Sequence, residues 1–212
     1  MNIKNSTNTM DKKKLIIFDL DGVLINSLKN MELSLNQTNK KLGLNLNFSE
    51  YKQFLGLPFE KIMNKLGIKK QINVIKKHYI FYSNKNLNKL IIKKKNIKDL
   101  KSLKKNYICT VFTSKDKYRT NKILKRYKLF DYILTSDDVK KGKPNSEGVL
   151  KILKKFKIRK KNSIYVGDSI YDYKCSINAR IKYCHATWGY EKMNSFKKLN
   201  RIKNFREIIN FF

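Results

Sequence analysis

The stretch LIIFDLDGVLINS, Leu15 to Ser27, decides the fold. Leu15 to Phe18 is an unbroken apolar run, the pattern of a strand buried on both faces. It ends in two acids, Asp19 and Asp21, followed by Gly22. An ionised carboxylate at the end of a buried strand loses its hydration unless a cation or hydrogen-bond donors replace the water. Something positive is therefore expected beside these acids, and Gly22 lets the backbone turn tightly near them.

Working outward, four more short β-rich runs follow: Tyr107 to Phe112, Tyr132 to Leu134, Ser163 to Val166, and Ile181 to Cys184. Helical patterns separate them, as at Tyr118 to Tyr127. In Glu147 to Phe156, Val149, Leu150 and Leu153 recur at helical spacing with Ile152 and Phe156. Repeated strand, helix, strand predicts an α/β fold, a doubly wound parallel sheet of five main strands.

The first and second runs are about 85 residues apart, too far for a simple crossover. Residues 28–95 are therefore expected to form a helical cap domain, inserted in an α/β core domain made of residues 15–27 and 96–212. In the insert, Leu28, Met31, Leu35 and Leu42 predict one helix stopped at Gly43. Ser49 is expected to cap a second before Gly56 and Pro58, and Ile72, Ile75, Tyr79 and Tyr82 predict a third. Residues 1–14 read as an N-terminal tail, polar and aperiodic at its start, with Met10 as an alternative point of initiation.

Composition narrows the class. Hydrophobic residues make up 41% and aromatics 12%, which excludes a disordered chain despite the charge. No apolar stretch reaches the roughly 18 residues of a membrane span, and no signal-peptide pattern opens the chain, so a cytoplasmic protein without a membrane partner is expected. Cys109, Cys175 and Cys184 lack CxxC or metal-ligand spacing and read as packed, reduced thiols. His78 and His185 sit in unrelated patterns and are left out of the site.

Lys and Arg number 49 against 16 Asp and Glu, a net charge of +33. Such an excess can bind nucleic acid through phosphate contacts. The lysines are scattered along every predicted helix, however, and come with abundant Asn, Ile and Tyr, as an A+T-rich coding sequence favours. The charge is read as compositional, and no specific nucleic-acid partner is expected.

In a doubly wound sheet, ligands sit outside the C-terminal ends of the strands. Strand one ends in Asp19-Leu20-Asp21-Gly22, strand two in Thr113-Ser114-Lys115, and strand four in Gly167-Asp168-Ser169, with Asp172 one helical turn on. KKGKPNSEG places Lys143 in a loop before a helix. Asp19 with Asp168 is a hard oxygen pair suited to Mg²⁺. A carboxylate can attack phosphorus and divide a hard hydrolysis into two steps. Asp21 can protonate a leaving oxygen and later deprotonate water. Thr113 with nearby N–H groups can hold phosphate oxygens, while Lys143 offsets the gathered negative charge. Gly167, like Gly22, allows close backbone approach. Order and spacing together carry this reading, since each motif alone is weak.

FDLDGVLINS, VFTSK, KGKP and YVGDSIYD resemble the four motifs of the haloacid dehalogenase-like hydrolases. The insert resembles the cap of their phosphoglycolate phosphatase and β-phosphoglucomutase-like branch, and the likeness extends to TWGY at Thr187 to Tyr190. The resemblance implies a Rossmann-like core. It makes Asp19 the nucleophile, Asp21 the general acid and base, Thr113 and Ser114 the phosphate contacts and Lys143 the charge stabiliser. Asp19, the backbone carbonyl of Asp21, and Asp168 would bind Mg²⁺, supported by Asp172.

Asn26 stands where many relatives carry an acid, and Ser114 where many carry Asn; neither removes a reacting group. Dehalogenation is disfavoured, because Asp21 supplies an acid that carbon–halogen chemistry does not require. The expected activity is Mg²⁺-dependent hydrolysis of a small phosphorylated metabolite, phosphoglycolate or a sugar phosphate, by a monomer or weak homodimer. The alternatives are a phosphomutase with the same reacting groups and, from another class, a nucleic-acid-binding or inactive scaffold protein.

Overall fold

The computed structural model describes residues 14–194 and 198–212. The expected tail lies outside the described residues except for Lys14, which opens the first strand.

Among the described residues, six strands form one sheet: β1 (Lys14–Phe18), β2 (Tyr107–Phe112), β3 (Tyr132–Leu134), β4 (Ser163–Gly167), β5 (Lys182–Ala186) and β6 (Asn200–Ile202). Their order is β3-β2-β1-β4-β5-β6, and every pairing is parallel. The order reverses between β1 and β4, the kind of place where doubly wound sheets hold ligands. β6 adds a sixth strand to the five expected. Three residues long, with Ile202 alone buried, it offers no period to detect.

Successive residues of β1 point to opposite faces. Ile16 and Phe18 join Leu100, Leu103, Ile123 and Phe205 on one side; Leu15 and Ile17 join Val149, Ile152, Cys175 and Ala179 on the other. Among these elements are α5 (Lys94–Asn106), α6 (Lys117–Leu124), α7 (Glu147–Phe156) and α8 (Ile170–Ala179). All four described apolar residues of β1 are fully buried, which accounts for its unbroken hydrophobic run. The three thiols are buried and free, and burial pushes each up to about 12.

The insert contains α1 (Leu28–Leu42), α2 (Phe48–Lys52), α3 (Phe59–Lys65) and α4 (Ile72–Asn84). Leu35, Tyr51, Leu57, Met63, Ile75 and Tyr79 form its own apolar cluster. Gly43 ends α1 in the left-handed conformation (φ 63°). Asn47, not Ser49, caps α2: its side chain accepts from the Ser49 N–H at 2.7 Å, because a shorter reach upstream meets the free amide. α3, after Gly56 and Pro58, was not anticipated. The insert's last stretch turns back to the core, since Leu87, Leu90 and Ile92 pack with β1 and β2. α5 starts at Lys94, so the boundary expected after Lys95 falls within its first turn.

Candidate active site

Parallel register brings the three motif strands to one level. Phe18 of β1 is opposite both Val111 of β2 and Val166 of β4. Asp19 and Thr113 are the first residues beyond their strands, yet their N–H groups still bond to neighbouring strands, to Val166 O at 2.9 Å and Leu134 O at 3.1 Å. Their side chains are therefore delivered to the sheet edge by rigid backbone. Asp168 directly follows β4, and its N–H donates to Asp172 Oδ2 at 3.3 Å.

Lys143 is wholly buried at the centre of the acids. Its Nζ donates to Asp19 Oδ1 at 2.6 Å and to Asp172 Oδ1 at 2.7 Å, with the Phe112 and Tyr165 rings each 5.3 Å away. This answers the demand for positive charge beside the strand end. Burial alone would lower the ammonium's affinity for its proton, but Asp172 and Asp19 outweigh it and hold Lys143 above the ordinary lysine value.

Asp172 serves as a hub. Its Oδ1 accepts from Lys143 and from the Tyr165 hydroxyl, and its Oδ2 accepts from Ser169 Oγ at 2.7 Å and from the N–H groups of Asp168 and Ser169. The Ser169–Asp172 pair is a capping box that starts α8. These donors use up the lone pairs of Asp172.

Asp19, Asp168 and Asp172 offer carboxylate oxygens within 4.8 Å of one another, all three buried. Burial, resisted by Lys143 and reinforced by Asp172 and Asp21, pushes the Asp19 carboxyl up to about 7. Burial, then Asp172 and Asp19, pushes Asp168 well above the carboxylate range. One lysine is too little for so much negative charge. An all-oxygen donor set with a deficit of positive charge fits a hard divalent cation, and Asp19 and Asp168 have the capacity to hold it.

Asp21 points elsewhere. Ser27 Oγ donates to its Oδ1, and Lys115 Nζ is 3.2 Å from its Oδ2. Burial pulls Lys115 below the ordinary lysine range, with Asp21 acting against it. Ser114 donates its hydroxyl to the Gly56 carbonyl of the insert at 2.7 Å, while Thr113 Oγ1 accepts from the Lys115 N–H. Both glycines are sterically required. At Gly22 (φ 87°) a Cβ would lie 2.1 Å from Asp168 Oδ2, and at Gly167 one would lie 2.4 Å from the Asp172 Cβ.

These groups open onto a cavity of about 410 Å³ closed on its far side by the insert. Asp19, Asp21, Thr113, Ser114 and Asp168 meet Met31, Tyr51, Leu57, Phe59 and Tyr79 across it. The sequence-derived residues are thus brought together, with Lys143 and Asp172 just behind the wall. The sequence reading missed Arg119, which lines the cavity, bonds Asp116 through Nε and Ser83 Oγ through Nη1 at 3.2 Å, and lies over the Tyr79 ring. Nothing in a chain with 49 Lys and Arg marks this one out before its burial is known. Tyr190 also lines the cavity, and the sequence marks it only as the last residue of TWGY.

Residues 16–186 match the haloacid dehalogenase-like hydrolase family. The chain belongs to that family. A phosphoglycolate phosphatase of Aquifex aeolicus is 30% identical over 196 residues, covering 86% of this chain and 88% of that protein. Pyrophosphatase PpaX of Oceanobacillus iheyensis is 24% identical, covering 92% and 95%. Among solved structures, a haloacid dehalogenase-like protein of Streptococcus pneumoniae superposes with a TM-score of 0.80 at 22% identity, covering 95% of this chain and 99% of that one. A hydrolase from Pseudomonas syringae gives 0.82 at 20%, covering 93% and 97%. Within the family this chain is a hydrolase of the phosphatase type. Among the described residues, no helix is long and apolar enough to cross a membrane.

Proposed function

We propose that the protein is a Mg²⁺-dependent phosphatase that hydrolyses a small phosphorylated metabolite by way of a phosphoryl group carried on Asp19. The observation that carries the reading is the Asp19 carboxylate, held by Lys143 at 2.6 Å, at the floor of a cavity large enough for such a metabolite. In the first step an Asp19 oxygen bonds to phosphorus and the ester P–O bond breaks, while protonated Asp21 gives its proton to the departing oxygen. In the second, water attacks the same phosphorus, Asp21 takes a proton from it, and the bond to Asp19 breaks to release phosphate and the free carboxylate. Thr113 and backbone N–H groups orient the phosphoryl oxygens, and Lys143 keeps Asp19 placed and favours its ionised form against burial. Asp19, Asp168 and the Asp21 carbonyl would hold Mg²⁺, which when bound supplies positive charge to the phosphate oxygens.

Residues 28–95 act in this proposal as a cap that excludes water and selects the substrate without supplying a reacting group. Lys52, Lys115 and Arg119 all line the cavity, which favours a substrate with a second anionic group. Phosphoglycolate and pyrophosphate, after which relatives are named, both meet that description. The test is a panel of phosphorylated metabolites with and without Mg²⁺, scored for released phosphate and for isomerised ester. Release from a member that carries a second anionic group beside its phosphate, dependent on Mg²⁺, is the expected result. Isomerisation without release would replace the proposal with a phosphomutase, and no turnover of any ester would remove it.

A further inference from the structure

We propose that Tyr190 is a positioning residue that aims the Asp21 carboxylate through the Ser27 hydroxyl. The proposal rests on Asp21 being the proton-transfer group of the reaction above.

The direction of the hydrogen bonds carries the argument. Tyr190 Oη accepts from the Ser27 N–H at 2.7 Å and lies 3.1 Å from Ser27 Oγ. Ser27 Oγ is in turn bonded to Asp21 Oδ1. The Ser27 hydroxyl donates to Asp21 Oδ1, so its one proton is committed to Asp21. Ser27 Oγ then has lone pairs to offer, and the Tyr190 O–H is the donor that reaches them. Its alternative acceptor, the Ile25 carbonyl, is farther away at 3.5 Å. Tyr190 to Ser27 to Asp21 is therefore a one-way chain of donors, in which each bond polarises the next. Ser27 is only 1% exposed, so water does not compete for it.

The loop that carries Tyr190 is fixed at two other points. Trp188 Nε1 donates to the Val23 carbonyl at 2.9 Å, in the turn just after Asp21. The Tyr190 N–H donates to Asp168 Oδ2 at 2.6 Å. One residue thus touches one acid of the site through its backbone and reaches another through its side chain. The other oxygen of Asp21 is drawn toward Lys115 from a separate element. Loss of the tyrosine hydroxyl would leave that pull less opposed and turn the carboxylate away from the leaving group.

Tyr190→Phe removes the hydroxyl and keeps the ring and the N–H to Asp168. The expected result is a fall in kcat of about tenfold, part of what a placed general acid supplies, with KM and the Mg²⁺ concentration for half activity unchanged. The loss in kcat/KM should be larger for an alkyl phosphate than for an aryl phosphate, whose better leaving group needs less protonation. Ser27→Ala should show the same bias, and the double variant should be no worse than either single one, because the two act in series. An unchanged kcat, an equal loss on both kinds of ester, or multiplying losses would overturn the proposal. Should Tyr190→Phe lose its cooperative melting transition, Ser27→Ala decides by the same comparison of esters. Asp21→Asn separates the two levels. If it shows no alkyl–aryl bias, the role of Asp21 falls; if it shows the bias and Tyr190→Phe does not, only the role of Tyr190 falls.

Discussion

At the sheet edge, Lys143 is fully buried and its short contacts go to two carboxylates, while each acid around it is held by strand or helix backbone. Across the same cavity, Met31, Leu57 and Phe59 of the insert present apolar surface, joined to the edge by contacts such as Ser114 Oγ to Gly56 O. The edge holds its charges by short, buried hydrogen bonds. The insert supplies shape. A charge cluster taken out of water fails when one partner is lost, whereas an apolar wall fails in proportion to the surface removed.

The sharpest break in this comparison is Asp19→Asn. Phosphate release should fall about a thousandfold or more, some 4 kcal/mol of barrier, with the thermal transition intact. Turnover within about tenfold of the parent would show that the edge does not carry the nucleophile. Next is Lys143→Met, which leaves two buried acids without their cation; a loss of about 3–5 kcal/mol in urea denaturation is expected, together with loss of activity. A variant as stable as the parent would contradict the account of Lys143 as the cation the acids require.

On the insert side, Phe59→Ala should change the ranking of esters in kcat/KM by about tenfold while leaving a small aryl phosphate nearly unaffected. An equal loss on all esters would put chemistry, not selection, in the insert. Metal sharpens the contrast by melting experiments. Because burial raises Asp19 from 3.8 to about 7, its protonated form stabilises the metal-free protein at low pH, and that contribution is lost as pH rises through about 7. Added Mg²⁺ should therefore raise Tm more at pH 8 than at pH 5, and an equal gain at both would contradict the charge deficit.

The smallest effect concerns Glu147, whose carboxylate holds Lys151 and the N–H groups of Lys140 and Lys141, just before Lys143. The Lys151 side chain first, then those N–H groups, draw it down to about 2. Its contribution is present above the ordinary glutamate value of 4.5 and is lost as pH falls through about 2. Glu147→Gln should lower Tm slightly at neutral pH, and the gap should close in strong acid.

Strands β1, β2 and β4 and helix α7 were legible in the sequence because their apolar periods are set by burial on the sheet, and the motif loops because unlike residue types recur there in a fixed order. β6 was not legible, since three edge residues with one buried side chain carry no period. Nor was α3, which is packed by Tyr51 and Tyr79 from neighbouring helices. Arg119 and Ser114 show the limit most plainly. One is a functional-looking cation hidden in a uniformly basic chain, and the other gives its hydroxyl to a backbone 58 residues away, which no local pattern encodes.

That bond from Ser114 to Gly56 ends on a main-chain carbonyl, and the position itself is held to glycine, since φ is 99° and a Cβ would lie 2.6 Å from Ser169 Oγ. Side chains that line the cavity from elsewhere in the insert, such as Met31 and Phe59, take no part in that bond, so changing them leaves the join between insert and sheet edge in place. A fold wired in this way lets the insert's lining vary while the edge it faces stays as it is.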